Sequence, residues 1–501
     1  MGIVIRQSAK SVILTYIGIA IGVVNTLWLF PYVLTQAQIG LVRTLINVAT
    51  LLATFACLSA GNIPNRFFPY FKDYKNKHHG FLFFLLVIGV IGSGIFIILF
   101  LNFRFLFVDA FVKNSPMLIN YFYQLLPFTL IMVFITIFES YNVIQQNPVA
   151  PIFTREVLTR FFLSASLVMF LFFKYDYKWF INILISFYGV VLLILIFYTY
   201  YKKYLYVKPN FETFKNPLLK SMLVYAGFVL MGNASGVVIN NIDSLMLSAY
   251  AGLTSTGIYT IAFFIATFIE IPKRSMSQVL IPLVAEANKE NDIKQLDVLY
   301  KKSAITQLII GGIIFLVIWI NIGNIFFLIP HGNLYVEGKW VVFFIGLGKI
   351  FDMATGVNQE IIGSSKYYKI DLSLFPIYGL TAIAANMFFI PKLGMTGAAI
   401  ATASSLFLIN TIRSTILMFT LKIQPFSINT LKVLAFAGLA FLINYFLPHF
   451  QKHFVIDIVL RSIIIAAVFI LLVLVFKVSE DINSISNKLL ARFFPNLKFK
   501  F

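Results

Sequence analysis

Long apolar runs separated by short polar connections extend over almost the whole chain. About 20 consecutive, mostly apolar residues form a helix that crosses the ~30 Å hydrocarbon layer of a membrane. Because the runs reach this length again and again, the pattern predicts about fourteen transmembrane helices. We place these helices at residues 11–34, 39–60, 81–101, 118–140, 157–173, 179–199, 221–247, 256–281, 304–329, 340–362, 371–390, 395–420, 431–447 and 456–476.

The composition supports an all-α polytopic membrane protein. Of the 501 residues, 60% are hydrophobic and only 12% are charged, whereas a soluble protein has about 25% charged residues. Continuous apolar runs exclude a transmembrane β-barrel, whose strands alternate over ~10 residues. The single cysteine, Cys57, lies in an apolar run and excludes an intramolecular disulfide.

Lysine and arginine are distributed unevenly between the two predicted sides of the membrane. With the N-terminus inside, the inner connections and tails hold 24 of them and the outer connections 7. This bias predicts cytoplasmic termini, because basic residues favour the inner side. An impermeant reagent should then label a cysteine at Lys339, but not at Lys75, from outside. The net charge of +20 faces anionic inner-leaflet lipids, and no soluble basic domain is present to bind nucleic acid.

Weak internal similarity predicts two six-helix lobes related by a pseudo-twofold axis. Gly40 precedes Pro64 by 24 residues, and Gly257 precedes Pro282 by 25. Such repeats are typical of secondary transporters. We therefore expect these segments: an N-terminal lobe at 1–200, a cytoplasmic linker at 201–220, a C-terminal lobe at 221–422, and two additional helices with a cytoplasmic tail at 423–501.

Charged residues inside the predicted spans are the candidates for function. Each costs ~2.5–3.5 kcal/mol on insertion, so such residues commonly face a cavity or a partner. Arg43, Asp243, Lys349 and Arg413 are the main candidates, with helix packing as the alternative. Lys349 and Asp352, three residues apart, are expected to pair with each other. Charges nearer predicted span ends are interpreted as interfacial: Glu139, Arg160, Lys273, Arg274, Glu360, Asp371 and Lys432.

Signals for catalysis are absent from the sequence. The five histidines lie in predicted loops without metal-ligand spacing, and no Walker A sequence, nucleophile elbow or H-E-x-x-H motif occurs. The outer connections are too short for a glycan ligase or polymerase. We therefore predict no enzyme activity, no cofactor and no metal site.

An ordered set of motifs resembles the polysaccharide flippases of the multidrug/oligosaccharidyl-lipid/polysaccharide exporter superfamily. The motifs are QAQIGLVRTL at the second span, the cytoplasmic NRFFPYF in 61–80, NIDSLMLSAYAGLTSTGIYTIAF across the seventh and eighth spans, and GMTGAAIAT at the twelfth. No motif is diagnostic alone; the resemblance lies in their order over most of the chain.

The resemblance implies two lobes around a cationic cavity and alternating access driven by an ion gradient. The implied cargo is an undecaprenyl-diphosphate-linked oligosaccharide crossing the bacterial inner membrane. Arg43, Arg66, Lys349 and Arg413 match the cavity cations, and Asp243 matches an acidic position linked to cation coupling. Where lipid II flippases carry charge in the first helix, this chain offers only Asn25 as a substrate contact, which argues against a peptidoglycan precursor.

Two other functions remain open at the level of sequence. A drug/cation antiporter of the same fold would favour acidic residues in the membrane and twelve spans, whereas this chain has a basic excess and two more predicted spans. A membrane-embedded glycan ligase or polymerase is disfavoured by the short outer connections. Lipid-linked oligosaccharide and anionic lipids are the expected partners, and glycan polymerase machinery is a further candidate partner.

Overall fold

A computed structural model describes residues 2–145, 147–209, 211, 217–447 and 454–493. Throughout these ranges the chain folds into helices with short connections and contains no strand. The all-helical fold predicted from the apolar runs is confirmed. Parts of the predicted linker and of the segment 423–501 lie outside the described residues.

The first of two compact units comprises Met1–Thr260. Two π-helical segments, Val24–Leu29 and Phe153–Leu158, continue α1 into α2 and α9 into α10. The helices are α1 (Gly2–Val23), α2 (Phe30–Val33), α3 (Gln36–Ala56), α4 (Ile63–Phe71), α5 (Phe81–Asn102), α6 (Arg104–Phe111), α7 (Pro116–Ile119), α8 (Leu125–Ile144), α9 (Val149–Ile152), α10 (Thr159–Phe173), α11 (Tyr177–Tyr201) and most of α12 (Leu219–Thr267).

The second unit comprises Ile261–Phe501. A short 3₁₀ segment, Phe268–Glu270, joins the end of α12 to the next helix. The remaining helices are α13 (Ile271–Lys289), α14 (Ile293–Ile320), α15 (Ile322–Leu328), α16 (Lys339–Ala354), α17 (Asn358–Ser364), α18 (Tyr368–Thr420), α19 (Ile428–Ile443), α20 (Phe454–Val475) and α21 (Glu480–Phe493).

Eleven helical segments in the described parts of the chain are long and apolar enough to cross a membrane, and the bent pair Gly332–Ala354 and Asn358–Ser364 adds a twelfth. Two of the eleven, Leu219–Lys289 and Tyr368–Thr420, contain 71 and 53 residues. At 1.5 Å per residue, each is long enough for two crossings. The backbone breaks at Gly252 (φ 87°) and Gly394 (φ 55°) mark where each would turn. The count of fourteen stays a prediction.

The segment 61–80, expected as a loop, contains the helix α4 at its start. Pro64 lies in the first turn of α4, where a missing N–H costs nothing. Phe67, Phe68 and Phe71 are buried on one face, so α4 packs against the unit rather than extending into water. The spacing of the apolar residues within IPNRFFPYF produces this buried face, whereas the basic residue of α4, Arg66, is exposed and the lysines of the segment follow the helix.

Two glycines that we interpreted as repeat markers contact opposite backbones in the first unit. A Cβ atom on Gly40 would lie 2.0 Å from the Leu253 carbonyl oxygen, and one on Gly257 would lie 2.0 Å from the Gln36 carbonyl oxygen. Only glycine lets α3 and α12 approach this closely. The glycines therefore permit a reciprocal helix contact, as small residues do in membrane bundles.

A polar ladder continues the same contact along the two helices. Asn47 donates from Nδ2 to Ser244 Oγ, and Thr44 donates from Oγ1 to Ser248 Oγ at 3.2 Å. All four side chains are buried. This packing assigns most of α12 to the first unit, so the division falls between Thr260 and Ile261. The predicted division at the linker 201–220 lies earlier in the chain and stays a prediction.

The glycine contact yields a stability prediction. Gly40→Ala places a methyl group against backbone that cannot rotate away, so α3 and α12 must separate and the polar ladder must stretch. We expect a loss of about 1–3 kcal/mol, as for other overpacked sites, seen as a lower melting temperature of the purified protein. Gly227→Ala is the matched control, because a Cβ at this position in α12 meets nothing within 4 Å. Equal melting temperatures for both variants would contradict the contact.

Candidate functional site

Arg43 lies on α3, which begins at a capping box formed by Thr35 and Gln38. Its side chain is half-buried between the fully buried Val42 and Thr44. The described residues give Arg43 neither an ion pair nor a side-chain hydrogen bond. A guanidinium carries five N–H donors and keeps its charge in any protein environment. Arg43 is therefore a cation inside a predicted span whose donors are available to an anion.

Two tyrosines of the first unit lie within electrostatic range of Arg43, namely Tyr188 on α11 and Tyr259 on α12. Tyr259 also donates its hydroxyl hydrogen to Asp243 Oδ2 at 3.2 Å, and Asp243 is buried. Tyr259 therefore contacts the acid predicted to couple transport to an ion and lies within electrostatic range of the cation predicted to bind substrate. Both candidates thus have Tyr259 as a neighbour.

Asn25 is buried in the π-helical segment of the first span, where both polar atoms of its amide are hydrogen-bonded. Its Nδ2 donates to the Arg160 carbonyl oxygen at 2.8 Å, and its Oδ1 accepts from the Ser164 hydroxyl at 2.6 Å. These bonds tie the first span to α10. Asn25 therefore acts on neighbouring helices in this conformation, and the assignment of Asn25 as a substrate contact stays a prediction.

Arg66 lies on the exposed side of α4. Its guanidinium carbon is 4.9 Å from the centre of the Tyr225 ring and 5.5 Å from that of Phe67. Cation–π contacts of this kind hold a guanidinium in place without neutralising it. Arg66 is therefore an ordered and exposed cation at the predicted cytoplasmic end of the first unit.

Lys349 and Asp352 are close on α16 but do not form the expected pair with each other. Lys349 donates instead to Glu270, while Lys273 Nζ lies 2.7 Å from Asp352 Oδ2. The expectation of an i, i+3 pair was wrong, because the 3₁₀ segment and α13 present the opposite charges to α16. Asn410 adds a hydrogen bond of 2.9 Å to Asp352.

Arg413 is also paired within the second unit. Its Nε donates to Asp371 Oδ1 at 2.9 Å, and both side chains are only 7% exposed. The two residues are far apart in sequence but both belong to the long helix α18, whose break at Gly394 lies between them. Asp371 is thus not the interfacial residue that we expected but the neutralising partner of a buried arginine.

The candidate cations therefore fall into two groups. Arg43 and Arg66 of the first unit have no carboxylate partner among the described residues, whereas Lys349 and Arg413 of the second unit are neutralised by Glu270 and Asp371. The sequence pattern does not predict the positions of Tyr188 and Tyr259 or the pairing of Glu270. For Glu270 a signal existed, because it precedes Arg274 by four residues, and the structure contains this ion pair.

The helical fold, the apolar spans and the paired charges within them define a multi-pass membrane protein. The chain belongs to the polysaccharide biosynthesis protein family, whose model matches residues 8–288. The family resemblance identified from the sequence is confirmed. The proteins that this chain resembles by family and by fold are transporters, not enzymes. The chain matches none of the curated protein sequences.

Solved structures similar to this chain share its fold at low sequence identity. The lipid II flippase MurJ in an inward closed conformation is 15% identical, with a TM-score of 0.70 over 93% of this chain and 98% of that one. A multidrug resistance MATE family transporter of the MOP superfamily is 15% identical in its inward-facing conformation, with a TM-score of 0.61 over 82% of this chain and 94% of that one. An outward-facing structure of a multidrug resistance MATE family transporter is also 15% identical, with a TM-score of 0.52 over 83% of this chain and 95% of that one.

The pairing of Lys349 leads to a prediction that separates structure from binding. Lys349→Met leaves the buried carboxylate of Glu270 with only Arg274 as its partner. Removing one member of a buried pair typically costs about 3–5 kcal/mol, so we expect a lower melting temperature. The double variant Glu270→Gln, Lys349→Met removes both charges and should recover most of the loss. If the double variant is no more stable than Lys349→Met, the pair does not hold α16 in place.

Proposed function

We propose that the protein is a flippase that moves undecaprenyl-diphosphate-linked oligosaccharide across the bacterial inner membrane. The cargo would be a repeat unit of O-antigen, capsule or exopolysaccharide, and the route would be alternating access driven by an ion gradient. Membership in the polysaccharide biosynthesis protein family supports a glycan cargo. The fold supports transport across the membrane rather than synthesis within it.

The observation that carries this proposal is that Arg43 is an unneutralised cation. A cation inside a predicted span, with no acidic partner among the described residues, must recover its insertion cost from water or from a ligand. A diphosphate supplies several charged oxygens, and the planar guanidinium fork binds such oxygens in pairs. Arg43 therefore fits the charged part of a lipid-linked sugar better than it fits a cationic drug.

The other predicted cations take different roles under this proposal. Arg66, exposed on α4, would attract the diphosphate at the cytoplasmic end of the first unit. Lys349 and Arg413 hold carboxylates in this conformation, so they would contact the cargo only after exchanging Glu270 or Asp371 for it. Asn25 would act through its bonds to α10.

Asp243 is the proposed coupling residue. It is a buried acid that accepts a hydrogen bond from Tyr259, and Tyr259 lies within electrostatic range of Arg43. A change of charge at Asp243 would alter the orientation of the Tyr259 hydroxyl, and through it the field at Arg43. Uptake of a cation at Asp243 and release of an anion from Arg43 would thereby be linked.

Replacement of Arg43 tests the proposed cargo. In a strain that lacks its own flippase, Arg43→Ala should reduce surface glycan about tenfold or more, the loss that removal of one charged hydrogen-bond partner predicts. Arg43→Lys should restore export only in part, because lysine offers a point charge without the fork. Surface glycan per cell is the measurement, with protein amount in the membrane determined alongside.

Lys178→Ala is the matched control, because Lys178 is an exposed cation of the first unit at the start of α11. It should export glycan at the parental rate. Normal export by Arg43→Ala at a normal protein level would contradict the proposed role of Arg43. If Arg43→Ala leaves glycan unchanged while the parent protein protects cells against cationic dyes, the alternative of a drug antiporter replaces the flippase.

Replacement of Asp243 tests the coupling. Asp243→Asn keeps the hydrogen bond to Tyr259 but removes the charge, so transport in proteoliposomes should lose its dependence on an imposed ion gradient. Tyr259→Phe keeps the charge and should lower the rate while retaining that dependence. An Asp243→Asn protein whose transport still responds fully to the gradient would rule out Asp243 as the coupling residue.

A further inference from the structure

The turn that joins α4 to α5, residues 72–80, ends in an unusual backbone. Left-handed φ values of 52°, 54° and 51° occur at Lys77, His78 and His79, and Gly80 follows with 75°. Residues other than glycine rarely adopt this conformation, because their Cβ atom comes too close to the following carbonyl oxygen. Three of them in a row persist only where the surrounding structure holds them. The contacts around this turn therefore decide whether it stays closed.

His78 holds the turn through both its side chain and its backbone. The side chain is fully buried, and its Nδ1 atom accepts a hydrogen bond from the Asp73 backbone N–H at 3.1 Å. The His78 backbone N–H donates to the Asp73 carbonyl oxygen at 2.7 Å. Because Nδ1 is an acceptor, the imidazole is neutral and carries its hydrogen on Nε2. This Nε2 atom is buried without a hydrogen-bond partner among the described residues.

Aromatic rings from three parts of the first unit surround the His78 imidazole. The ring centres of Phe68 and Tyr74 lie 5.1 Å and 4.9 Å from it, and that of Tyr206 lies 5.7 Å away. Phe68 belongs to α4, Tyr74 to the turn itself, and Tyr206 to the predicted linker that follows α11. His78 is therefore the point at which the turn, α4 and the start of the linker meet.

α4 extends this contact to the helix that the linker leads into. The Phe67 ring of α4 lies 5.4 Å from the Tyr225 ring of α12, and the Arg66 guanidinium lies over the same tyrosine ring. At the other side of His78, the Tyr141 hydroxyl of α8 donates to the Tyr204 carbonyl oxygen at 3.1 Å. An opening of the turn would thus loosen the segment that precedes α12.

Protonation of His78 is incompatible with the closed turn. An imidazolium carries a hydrogen on both ring nitrogens, so its Nδ1–H would face the Asp73 backbone N–H, and two donors would meet at the distance of a hydrogen bond. The positive charge would also be buried without a hydrogen-bonded counter-ion. The closed turn therefore requires the neutral imidazole.

The charged groups around His78 do not reverse this preference. Asp73, Lys72 and His79 are within electrostatic range, and only Asp73 would favour an imidazolium. Its carboxylate already accepts hydrogen bonds from the backbone N–H groups of Lys75 and Asn76, and His79 Nε2 lies 3.6 Å from Asp73 Oδ2. Phenols ionise only near pH ~10, so the charge does not change at the tyrosines of this cluster, namely Tyr74, Tyr141, Tyr204 and Tyr206.

We propose that the turn 72–80 is a pH latch on the predicted cytoplasmic side, which neutral His78 closes against the linker at Tyr206 and which protonation of His78 releases. An exposed imidazole titrates near pH ~6.5. The latch is therefore fully stable above this pH and loses stability as the pH falls, because the open state then binds a proton that the closed state excludes. The inference goes beyond the proposed function and does not depend on the cargo.

Hydrogen–deuterium exchange of the purified full-length protein tests the latch. Protection is the factor by which the fold slows exchange, corrected for the intrinsic effect of pH. Between about pH 7.5 and about pH 5.5, protection of the peptides covering 72–80 and 201–208 should fall about tenfold, since each pH unit below ~6.5 favours the open state about tenfold. Peptides from α8 should keep their protection, which shows that the protein remains folded.

Replacement of each histidine separates the two titrating groups of the turn. His78→Asn supplies a side-chain oxygen that can accept from Asp73, cannot be protonated and tolerates a left-handed backbone. Its turn should stay closed at both pH values. His79→Asn is the matched control, because His79 has the same backbone conformation and pairs with the Asp73 carboxylate. Protonation of His79 would strengthen that pair, so His79→Asn should retain the parental fall in protection.

Replacement of Tyr206 tests the connection to the linker. Tyr206→Ala removes the ring that packs on His78 but leaves the hydrogen bonds of the turn in place. Protection of 72–80 should still fall at acid pH, whereas 201–208 should be weakly protected at both pH values. Tyr200→Ala is the control, because the Tyr200 side chain at the end of α11 is 67% exposed; it should behave as the parent does.

Three results would overturn the latch. The first is equal protection of 72–80 at both pH values in the parent, and the second is a parental fall in His78→Asn. The third needs no variant: a full pH series of the parent in which protection begins to fall only below about pH 5, where carboxylates titrate, would exclude His78 as the responsible group. A fall that begins between about pH 7 and about pH 6 supports it.

Discussion

The cost of placing a charge in hydrocarbon is the constraint on which the rest of this structure depends. Each charged side chain in a span needs a partner, water or a ligand, and most of those described have a partner. Glu270 accepts from Lys349 and Arg274, and Asp371 accepts from Arg413. These pairs join α16 to the 3₁₀ segment and connect the two halves of α18. Arg43 is different, since it has polar neighbours but no counter-ion among the residues that the structure describes.

Close helix contacts in the first unit act together with this pairing of charges. Water release contributes little to association between helices that are surrounded by lipid, so packing and hydrogen bonds must hold α3 against α12. Gly40 and Gly257 let the two backbones meet, and the adjacent buried pairs, Asn47 with Ser244 and Thr44 with Ser248, add direction to the contact. The same logic operates between the first span and α10, where Gly22 gives space to Arg160.

The two units differ in whether their candidate cations have carboxylate partners. In the second unit Lys349 and Arg413 are each paired with a carboxylate, so the charge of these two cations is neutralised within the protein. In the described part of the first unit, Arg43 has no carboxylate partner, and Arg160 shares its carboxylate with Arg155. Under the proposed function, the first unit would therefore supply the cation that has no acidic partner. The positive charge of the whole chain does not decide this, because charge acts locally in a low-dielectric medium.

The sequence alone determined the features that depend on neighbours along the chain. Apolar runs of membrane length predicted the spans, and the ordered motifs identified the family, because each depends on local pattern. The partners of the charges required the tertiary structure. Asp371 and Arg413 lie 42 positions apart, and Lys349 chose Glu270 over Asp352 on its own helix. Such pairing depends on how the helices rotate and cross. Packing between residues far apart in sequence sets this geometry, and no local sequence pattern predicts it.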